Sequence, residues 1–189
     1  MHSFLLGGFL WIHFILLLQQ DKCCRNYNPD KKVSREELTA CLEAARIAPS
    51  ACNSQPWSFH GVLSHDKAKL MGLYLQKFGL NKFAEKCPAF VVVVEEKAKL
   101  IARIAGKLGS QEYASIDIGI AAAHFCLAAC DMGLSTCITG CFDEGKIKEL
   151  LDIPKNKRIR LVICVGYAAD DDKLRPKTRK DFEEIVKFD

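Results

Sequence analysis

The first twenty residues of this 189-residue chain contain no Asp, Glu, Lys or Arg, and charge begins abruptly at Asp21. A secretory signal peptide carries a basic start and a small-residue cleavage site, and neither occurs here. A membrane span needs about 20 apolar residues, and the apolar run of residues 4–18 is shorter. We therefore expect residues 1–21 to be an atypical apolar segment, either a helix packed on the domain or a replaced start, with a membrane tether as the less favoured alternative.

The chain also lacks the spacings that mark several common sites. Its ten cysteines include no Cys-x-x-Cys pair of the kind typical of zinc and iron–sulfur centres, and no Gly-x-Gly-x-x-Gly fingerprint occurs. The nearest approach to a metal pattern is the set Cys126, Cys130, Cys137 and Cys141. Because cysteines lie inside apolar runs such as HFCLAAC, we interpret them as buried thiols in a reducing cytoplasm and expect no metal.

No long run of one charge is present. The formal net charge is +4, 26% of residues are charged, and acids alternate with bases along most of the chain, which predicts a solvated surface and no nucleic-acid partner. With 49% hydrophobic residues, the length suffices for one domain, which we assign to residues 22–189. Two tighter basic groups, Lys22 with Arg25 and Arg175 to Lys180, are dense enough to hold one small phosphate.

Helical and strand patterns interleave along this domain. Ser34 and Glu37 have the form of a capping box, which predicts a helix that stops at Pro49. The interleaving predicts an α/β or α+β protein with a layered sheet and excludes an all-α bundle. The other expected elements are strands at Trp57–Leu63, Ala89–Val94 and Arg160–Val165, and helices at Asp66–Phe78, Ser115–Met132 and Asp143–Leu151.

A polar stretch, Ser50 to Pro56, joins the first helix to the first strand. Loops held between rigid elements are frequent binding sites. Asn53 and Gln55 each offer a donor and an acceptor, which the mixed polar edge of a flavin pyrimidine ring requires. Taken alone, these residues favour a simple polar turn built on local Asn and Ser hydrogen bonds. The rest of the sequence is what favours a site.

Several blocks together closely resemble the nitroreductase family, from about Arg25 to the C-terminus. Any one block arises easily by chance, whereas the complete series in the right order does not. The blocks are PSxxNSQPW at Pro49–Trp57, DxGxAxxxxxLAAxxxGLxTC at Asp117–Cys137, then Gly140 and Phe142-Asp143, VGYA at Val165–Ala168, and Pro-Lys-x-Arg at Pro176–Arg179.

The resemblance implies an α+β fold, a three-layer α/β/α sandwich with a mixed central sheet flanked by helices. It further implies FMN bound in a cleft at a homodimer interface. Arg25, Lys177 and Arg179 match phosphate contacts, for which cations in a fork are suited. The loop that meets the flavin, usually from the other subunit, is matched by Ser50, Ala51, Asn53 and Gln55. The segment that runs under the ring is matched by Cys137, Ile138, Thr139 and Gly140.

The family mechanism is ping-pong. NADH or NADPH reduces FMN and departs, and a nitro, quinone or related organic acceptor then occupies the same ring face. Because the cofactor carries the hydride chemistry, no catalytic side chain is required, and none is assigned, including His60, His65 and His124. Pocket shape decides among acceptors, so the sequence predicts the class of acceptor only.

The N-terminal phosphate motif departs from the family pattern. Members usually have Arg-Arg-Ser or Arg-His-Ser before the position of Arg25, where this chain has Asp21-Lys22-Cys23-Cys24. Lys22 substitutes for one cation, but Asp21 repels phosphate and Cys23 bonds more weakly than Ser. We therefore expect weakened FMN binding. Two alternatives stay open: a flavin-binding protein with little turnover, and a membrane-tethered member whose Lys22 and Arg25 keep the domain on the cytoplasmic side.

Overall fold

Helices alternate with four strands along the computed structural model, which describes residues 2–109, 111–173 and 176–189, with side chains from Trp11 onward. Arg175, one of the predicted basic group, lies outside the described residues. The elements are α1 (His2–Gln20), α2 (Arg35–Arg46), β1 (Trp57–Val62), α3 (His65–Tyr74), β2 (Ala89–Glu95), α4 (Leu100–Gly109), α5 (Tyr113–Asp131), β3 (Ser135–Thr139), α6 (Glu144–Leu150), β4 (Arg158–Gly166) and α7 (Phe182–Ile185), with 3-10 turns at Ala51–Asn53, Lys77–Gly79 and Lys82–Lys86.

The four strands form one sheet in the order β1-β2-β4-β3. Each neighbouring pair is antiparallel, with Ala89 opposite Val165 and Cys137 opposite Cys164. Cys23 adds a parallel bridge to Thr136 at the outer side of β3. The sheet therefore has β1 at one edge and β3 at the other, and the chain before α2 partly covers the β3 edge.

Both faces of the sheet are buried, and β2 shows why. Its run of four valines has no polar side, and alternation directs Val91 and Val93 to one face and Val92 and Val94 to the other. The first face packs on α2 and α5, and the second on α3 and α6. Burying each valine contributes about 1.5–3 kcal/mol. This arrangement confirms the α+β, three-layer α/β/α prediction. The predicted mixed sheet is instead antiparallel across its four strands, because the parallel partner of β3 is reduced to the single Cys23–Thr136 bridge.

The predicted start of α2 is confirmed, and its end comes earlier than predicted. Ser34 Oγ accepts from Glu37 N at 3.1 Å, and Glu37 Oε2 accepts from Ser34 N at 2.8 Å. The helix ends at Arg46 rather than at Pro49, because Ala48 N bonds the carbonyl of Ala45 in a tighter turn. The chain thus leaves α2 before the polar loop begins.

Helix α3 is also shorter than predicted. It ends at Tyr74, and the predicted last turn is a 3-10 turn in which Phe78 has a φ of 58°. Asn81 Nδ2 donates to the carbonyls of Leu75 at 3.2 Å and Cys141 at 3.0 Å, which satisfies the helix end. Asn81 lies six residues beyond Leu75, outside the usual C-cap positions, so a helix-end pattern in the sequence does not indicate this cap.

Helix α5 crosses the centre of the fold, as predicted. Ile118, Phe125 and three of its alanines (Ala121, Ala122, Ala129) are buried, and the small side chains let α2 pack closely. Among the helices of the described residues, α5 has the length and the apolar composition that a membrane-spanning helix needs. Core helices of soluble proteins meet the same two criteria. The seven residues of α5 that are buried against the sheet and α2 account for part of this composition, whereas the other face includes the exposed Ile116.

Helix α1 packs on the C-terminal half of α5. His13 Nε2 lies 2.9 Å from Asp131 Oδ1, and Lys177 Nζ donates to the Leu18 carbonyl at 2.6 Å. The other side of α1 remains apolar and open, with Trp11 63% exposed and Phe14, Leu16 and Leu18 also exposed. The helix is therefore docked on the domain through polar contacts while one apolar face stays uncovered.

Candidate functional site

The loop after α2 has an unusual backbone. Cys52, Asn53 and Gln55 have φ values of 52°, 48° and 48°, in the left-handed region that non-glycine residues seldom adopt. Each such residue costs on the order of 1–3 kcal/mol and persists only where its surroundings hold it. Contacts with the surrounding residues must therefore stabilise this loop conformation.

Asp117, on α5, is the main anchor. Its carboxylate is 4% exposed, and its two oxygens accept from Ala51 N at 3.1 and 3.2 Å. Ser50 Oγ accepts from Gln55 N at 2.9 Å, which closes the loop on itself. The sequence had placed Asp117 in a motif without giving it a role. An acid within the apolar, buried part of this helix is the sequence signal that could have indicated its role, because a buried carboxylate needs a hydrogen-bond partner.

The side chains of the loop offer a matched pair of polar groups. Gln55 Nε2 donates to Asn53 Oδ1 at 2.8 Å, so Asn53 Nδ2 and Gln55 Oε1 remain as an exposed donor and acceptor. Ser54 Oγ is buried and has no partner among the described residues. A donor, an acceptor and an unpaired hydroxyl on one loop fit the mixed polar edge of a flavin.

The predicted ring segment forms the edge strand β3 and the turn after it. Thr139 Oγ1 donates to the Val162 carbonyl at 2.8 Å and points into the core, whereas Ile138 is 40% exposed. Because the Thr136 carbonyl accepts from Cys24 N on the outer side, alternation directs the backbone N–H of Ile138 outward as well. A Cβ on Gly140 would meet no atom within 4 Å, so the space beside it is open.

Of the four predicted phosphate cations, three are accessible. Arg25, Lys177 and Arg179 are exposed and have no carboxylate partner within the described ranges. Arg25 also lies 6.0 Å from the ring centroid of Phe83. Lys22 differs, since its Nζ lies 2.7 Å from Asp172 Oδ2 and is largely buried. Lys22 would have to leave Asp172 to meet a phosphate.

A small polar cleft of about 160 Å³ lies beside Lys22, lined also by Asp21, Gly133 and Ser135. It thus presents one cation and one anion. Asn26 Nδ2 donates to Asp171 Oδ1 at 2.8 Å, so acids of the 170–172 segment surround the N-terminal motif. The motif that departs from the family pattern therefore lies against carboxylates of its own chain.

The thiols near this edge are held neutral. Burial raises the pKa of Cys137 to about 12, the Cys23 thiol beside it also raises that pKa, and Arg25 lowers it. Burial and the Asp172 carboxylate raise the pKa of Cys24 to about 11. In the ranges that the structure describes, no three His, Cys, Asp or Glu side chains are grouped to hold a metal. Cys137 can pack under a ring, but it is not a nucleophile at neutral pH.

The structure separates the loop from the ring segment. The loop leads into β1 and is anchored at Asp117, whereas β3 is the opposite edge strand and the Lys22 cleft contacts Cys130. From Asp117 to Cys130 the helix rises roughly 20 Å, at about 1.5 Å per residue. Because β2 and β4 lie between these two edges of the sheet, residues at both edges of one chain cannot contact the same small ligand. The predicted residues therefore divide into two groups, which we name the loop half-site (Ser50, Ala51, Asn53, Gln55) and the edge half-site (Lys22, Arg25, Cys137–Gly140, Lys177, Arg179). Arg179 is assigned to the edge half-site by the resemblance alone, because its side chain bonds only the carbonyl of its neighbour Thr178 among the described residues.

Known proteins of the same kind share this chain's sequence pattern and fold. Residues 19–167 match the Nitroreductase family. An oxygen-insensitive NADPH nitroreductase of Helicobacter pylori is 26% identical over 87% of this chain and 92% of its own. A nitroreductase family protein of Streptococcus pneumoniae superposes with a TM-score of 0.78 at 24% identity, covering 93% of this chain and all of that one.

A protein of Exiguobacterium sibiricum solved in complex with FMN superposes with a TM-score of 0.78 at 22% identity, covering 93% of this chain and 97% of that one. These likenesses bear on the fold, and the sequence match extends over most of the chain, beginning within the last turns of α1. The matched region contains the polar loop, its anchor Asp117, the edge strand and the first three residues of the VGYA turn. The chain therefore belongs to the nitroreductase family, whose members are oxidoreductases.

Proposed function

We propose that this protein is an FMN-dependent oxidoreductase that takes reducing equivalents from NADH or NADPH and passes them to a nitro, quinone or related organic acceptor. The observation that carries the proposal is the anchored loop, where Asn53 Nδ2, Gln55 Oε1 and the Ser54 hydroxyl offer matched polar groups. The NADPH nitroreductase of H. pylori and the FMN complex of E. sibiricum support the reductant and the cofactor.

The residues of this chain would hold the cofactor in three ways. Arg25, Lys177 and Arg179 would bind the phosphate by charge-assisted hydrogen bonds. The loop would bind the polar edge of the ring, and the outward N–H of Ile138 would approach its centre. Bound FMN supplies the hydride chemistry, so the protein provides binding, orientation and exclusion of water. The neutral Cys137 and the open space at Gly140 would leave the ring face uncharged and accessible.

We also propose that the active form is a homodimer. The loop half-site and the edge half-site lie on opposite edges of one sheet, so a second copy is the simplest way to bring them together. Exposed apolar side chains lie at the loop end of the fold, including Ile47 after α2 and Ile116 on α5. Burial of such side chains is a usual feature of obligate interfaces. Light scattering of the purified protein should give twice the chain mass, and a monomer that binds FMN fully would contradict this.

The spectrum of the purified protein tests the main proposal. The protein should be yellow or should become so with added FMN, and NADH or NADPH should bleach it without oxygen. Adding a nitroaromatic or a quinone should then restore the oxidised spectrum, with steady-state turnover well above that of free flavin. A protein that stays colourless after incubation with FMN would overturn the proposal.

One observation favours a second candidate function, a flavin-binding protein with little turnover. Lys22, which replaces a family cation, is paired with Asp172 rather than free. This candidate predicts FMN binding with reduction by NAD(P)H no faster than that of free FMN. Turnover measured at saturating FMN separates weak cofactor binding from weak catalysis. Rapid reduction at saturation would eliminate the second candidate.

We propose a cytoplasmic location, where the ten free thiols would stay reduced. The uncovered apolar face of α1 is the feature that supports the alternative of a membrane tether. Fractionation of cells that express the full chain and a chain lacking residues 1–20 compares the two. A full chain in the membrane fraction and a shortened chain in the soluble fraction would favour the tether.

A further inference from the structure

A cavity of about 460 Å³ opens between the segment after Tyr27, helix α3 and the 3-10 turn before β2. None of the twelve residues predicted for FMN lines it. Its volume lies within the range of small-molecule pockets. The cavity is therefore a second concave surface, separate from both half-sites.

The walls of the cavity are held together closely. At Gly72 of α3, a Cβ would come within 2.7 Å of the Ala84 carbonyl in the 3-10 turn, so the helix and the turn are in direct contact. Cys87 Sγ donates to the carbonyls of Ala89 at 3.1 Å and Val165 at 3.4 Å, which ties the turn to the sheet. Such contacts give a cavity that exists before any ligand binds.

The lining divides into an apolar floor and a cationic rim. Val33, Ala68 and Cys87 are buried and form the floor, and Leu63 and Leu73 extend it. The rim carries three exposed lysines, Lys32, Lys69 and Lys86, together with His65, against one acid, Glu85.

These lysines are unlike the chain's paired bases. Lys22, Lys148 and Lys157 form ion pairs, whereas the rim lysines have no ion-pair or hydrogen-bond partner within the described part of the chain. The rim therefore retains a net positive charge that its own carboxylate does not neutralise. An anionic group at the mouth would lower the repulsion among the lysines.

We propose that this cavity binds a small amphipathic carboxylate, an apolar chain or ring that occupies the floor while its carboxylate lies among Lys32, Lys69 and Lys86. The apolar floor excludes a fully polar anion as the preferred ligand, because it offers no buried polar partners. The cationic rim excludes an amine of the same shape. The site is independent of FMN and does not rest on the redox function proposed above.

The test is isothermal titration calorimetry of the full chain saturated with FMN, using octanoate and octylamine as probes of equal length and opposite charge. Without added FMN the titration should give the same result. Octanoate should bind at one site per chain, and octylamine at least about tenfold more weakly. Lys69→Glu should weaken octanoate about tenfold, a change of about 1.4 kcal/mol. The matched control is Lys67→Glu, an exposed lysine of the same helix that does not line the cavity, and it should change affinity less than twofold.

A second pair of variants tests the apolar floor. Leu73→Glu places a carboxylate in the cavity and should abolish octanoate binding, whereas Leu70→Glu, at a partly exposed position outside the lining, should not. All four positions are exposed enough for the variants to fold, which melting curves verify. Equal binding of octanoate and octylamine, or equal effects of Lys69→Glu and Lys67→Glu, would overturn the proposal.

Discussion

The two half-sites proposed for FMN are built on different physical principles. The loop half-site is a backbone in an unfavourable conformation, held by the buried carboxylate of Asp117 and by hydrogen bonds among its own residues. The edge half-site is a regular strand with cations around it, one of which is neutralised by Asp172. We therefore expect substitutions in the loop half-site to reduce FMN binding by disrupting the loop structure. Substitutions in the edge half-site should reduce FMN binding by removing positive charge.

Removing the loop anchor should have the largest effect. Asp117→Ala leaves the partly buried Ala51 N–H without its acceptor, which costs about 1–3 kcal/mol, and the loop is no longer held in the conformation that presents its polar groups. We expect the free energy of unfolding to fall by about 2 kcal/mol and FMN affinity to fall about thirtyfold. Urea unfolding and fluorescence titration with FMN measure the two quantities. The control is Asp131→Ala, which removes an exposed acid on the same helix. If FMN affinity were unchanged in Asp117→Ala, the proposed difference between the two half-sites would be wrong.

Removing an edge cation should affect binding but leave the fold intact. Arg25→Ala deletes an exposed guanidinium, and charge-assisted hydrogen bonds contribute about 1.5–3 kcal/mol, so FMN affinity should fall at least about tenfold. The difference from the unmodified protein should shrink as salt increases. Arg46→Ala removes an exposed arginine that pairs with Glu43 and serves as the control. A large loss of stability in Arg25→Ala would show that the edge half-site, like the loop half-site, depends on this residue for its structure.

Removing the acid beside Lys22 should strengthen binding. Asp172→Asn deletes a carboxylate 2.7 Å from Lys22 Nζ and should tighten FMN binding about threefold, since the freed cation favours phosphate. The double variant Lys22→Met/Asp172→Asn separates two causes. If the gain disappears in the double variant, Lys22 itself contacts the phosphate. If the gain persists, the carboxylate acted through space alone, and Lys22 is not a contact.

The smallest effect concerns the helix that leads into the loop. The Tyr167 hydroxyl, with help from Ser34, holds the pKa of Glu37 below its usual value. Because the folded-state pKa is lowered, the stabilisation is present above the unfolded pKa of about 4.3 and is lost as pH falls through the folded value. Glu37→Gln should therefore lower the free energy of unfolding by roughly 1 kcal/mol at pH 7 and by less at pH 3. Glu36→Gln, which changes an exposed acid in the same turn, is the control and should leave the free energy of unfolding at pH 7 nearly unchanged.

Local patterns sufficed for the parts of the fold that local chemistry decides. The capping box at Ser34 and Glu37 and the valines of β2 needed no distant partner to be recognised. The resemblance to the family predicted the three layers, and the roles that it gives to the residues of the two half-sites stay predictions.

What remained unpredicted depends on residues far apart in the chain. Ala51 and Asp117 are 66 positions apart, and Lys22 and Asp172 are 150 apart, so no spacing rule indicates their hydrogen bonds. The ends of α2 and α3 are the exception, because a turn at Ala48 and the side chain of Asn81, both only a few residues from the helix ends, terminate these helices. Long-range polar contacts, rather than the apolar pattern, are therefore where the structure adds to the sequence.

Two contacts join the N-terminal and C-terminal segments, one between Lys177 and the Leu18 carbonyl and one between Lys22 and Asp172. The order of the segments along the polypeptide is then less important than their contacts in space. A circular permutant that joins residue 189 to residue 1 by a flexible linker, and opens the chain in another exposed loop, should retain the fold. In such a protein the unusual N-terminal helix would become an internal element, with no free end of its own.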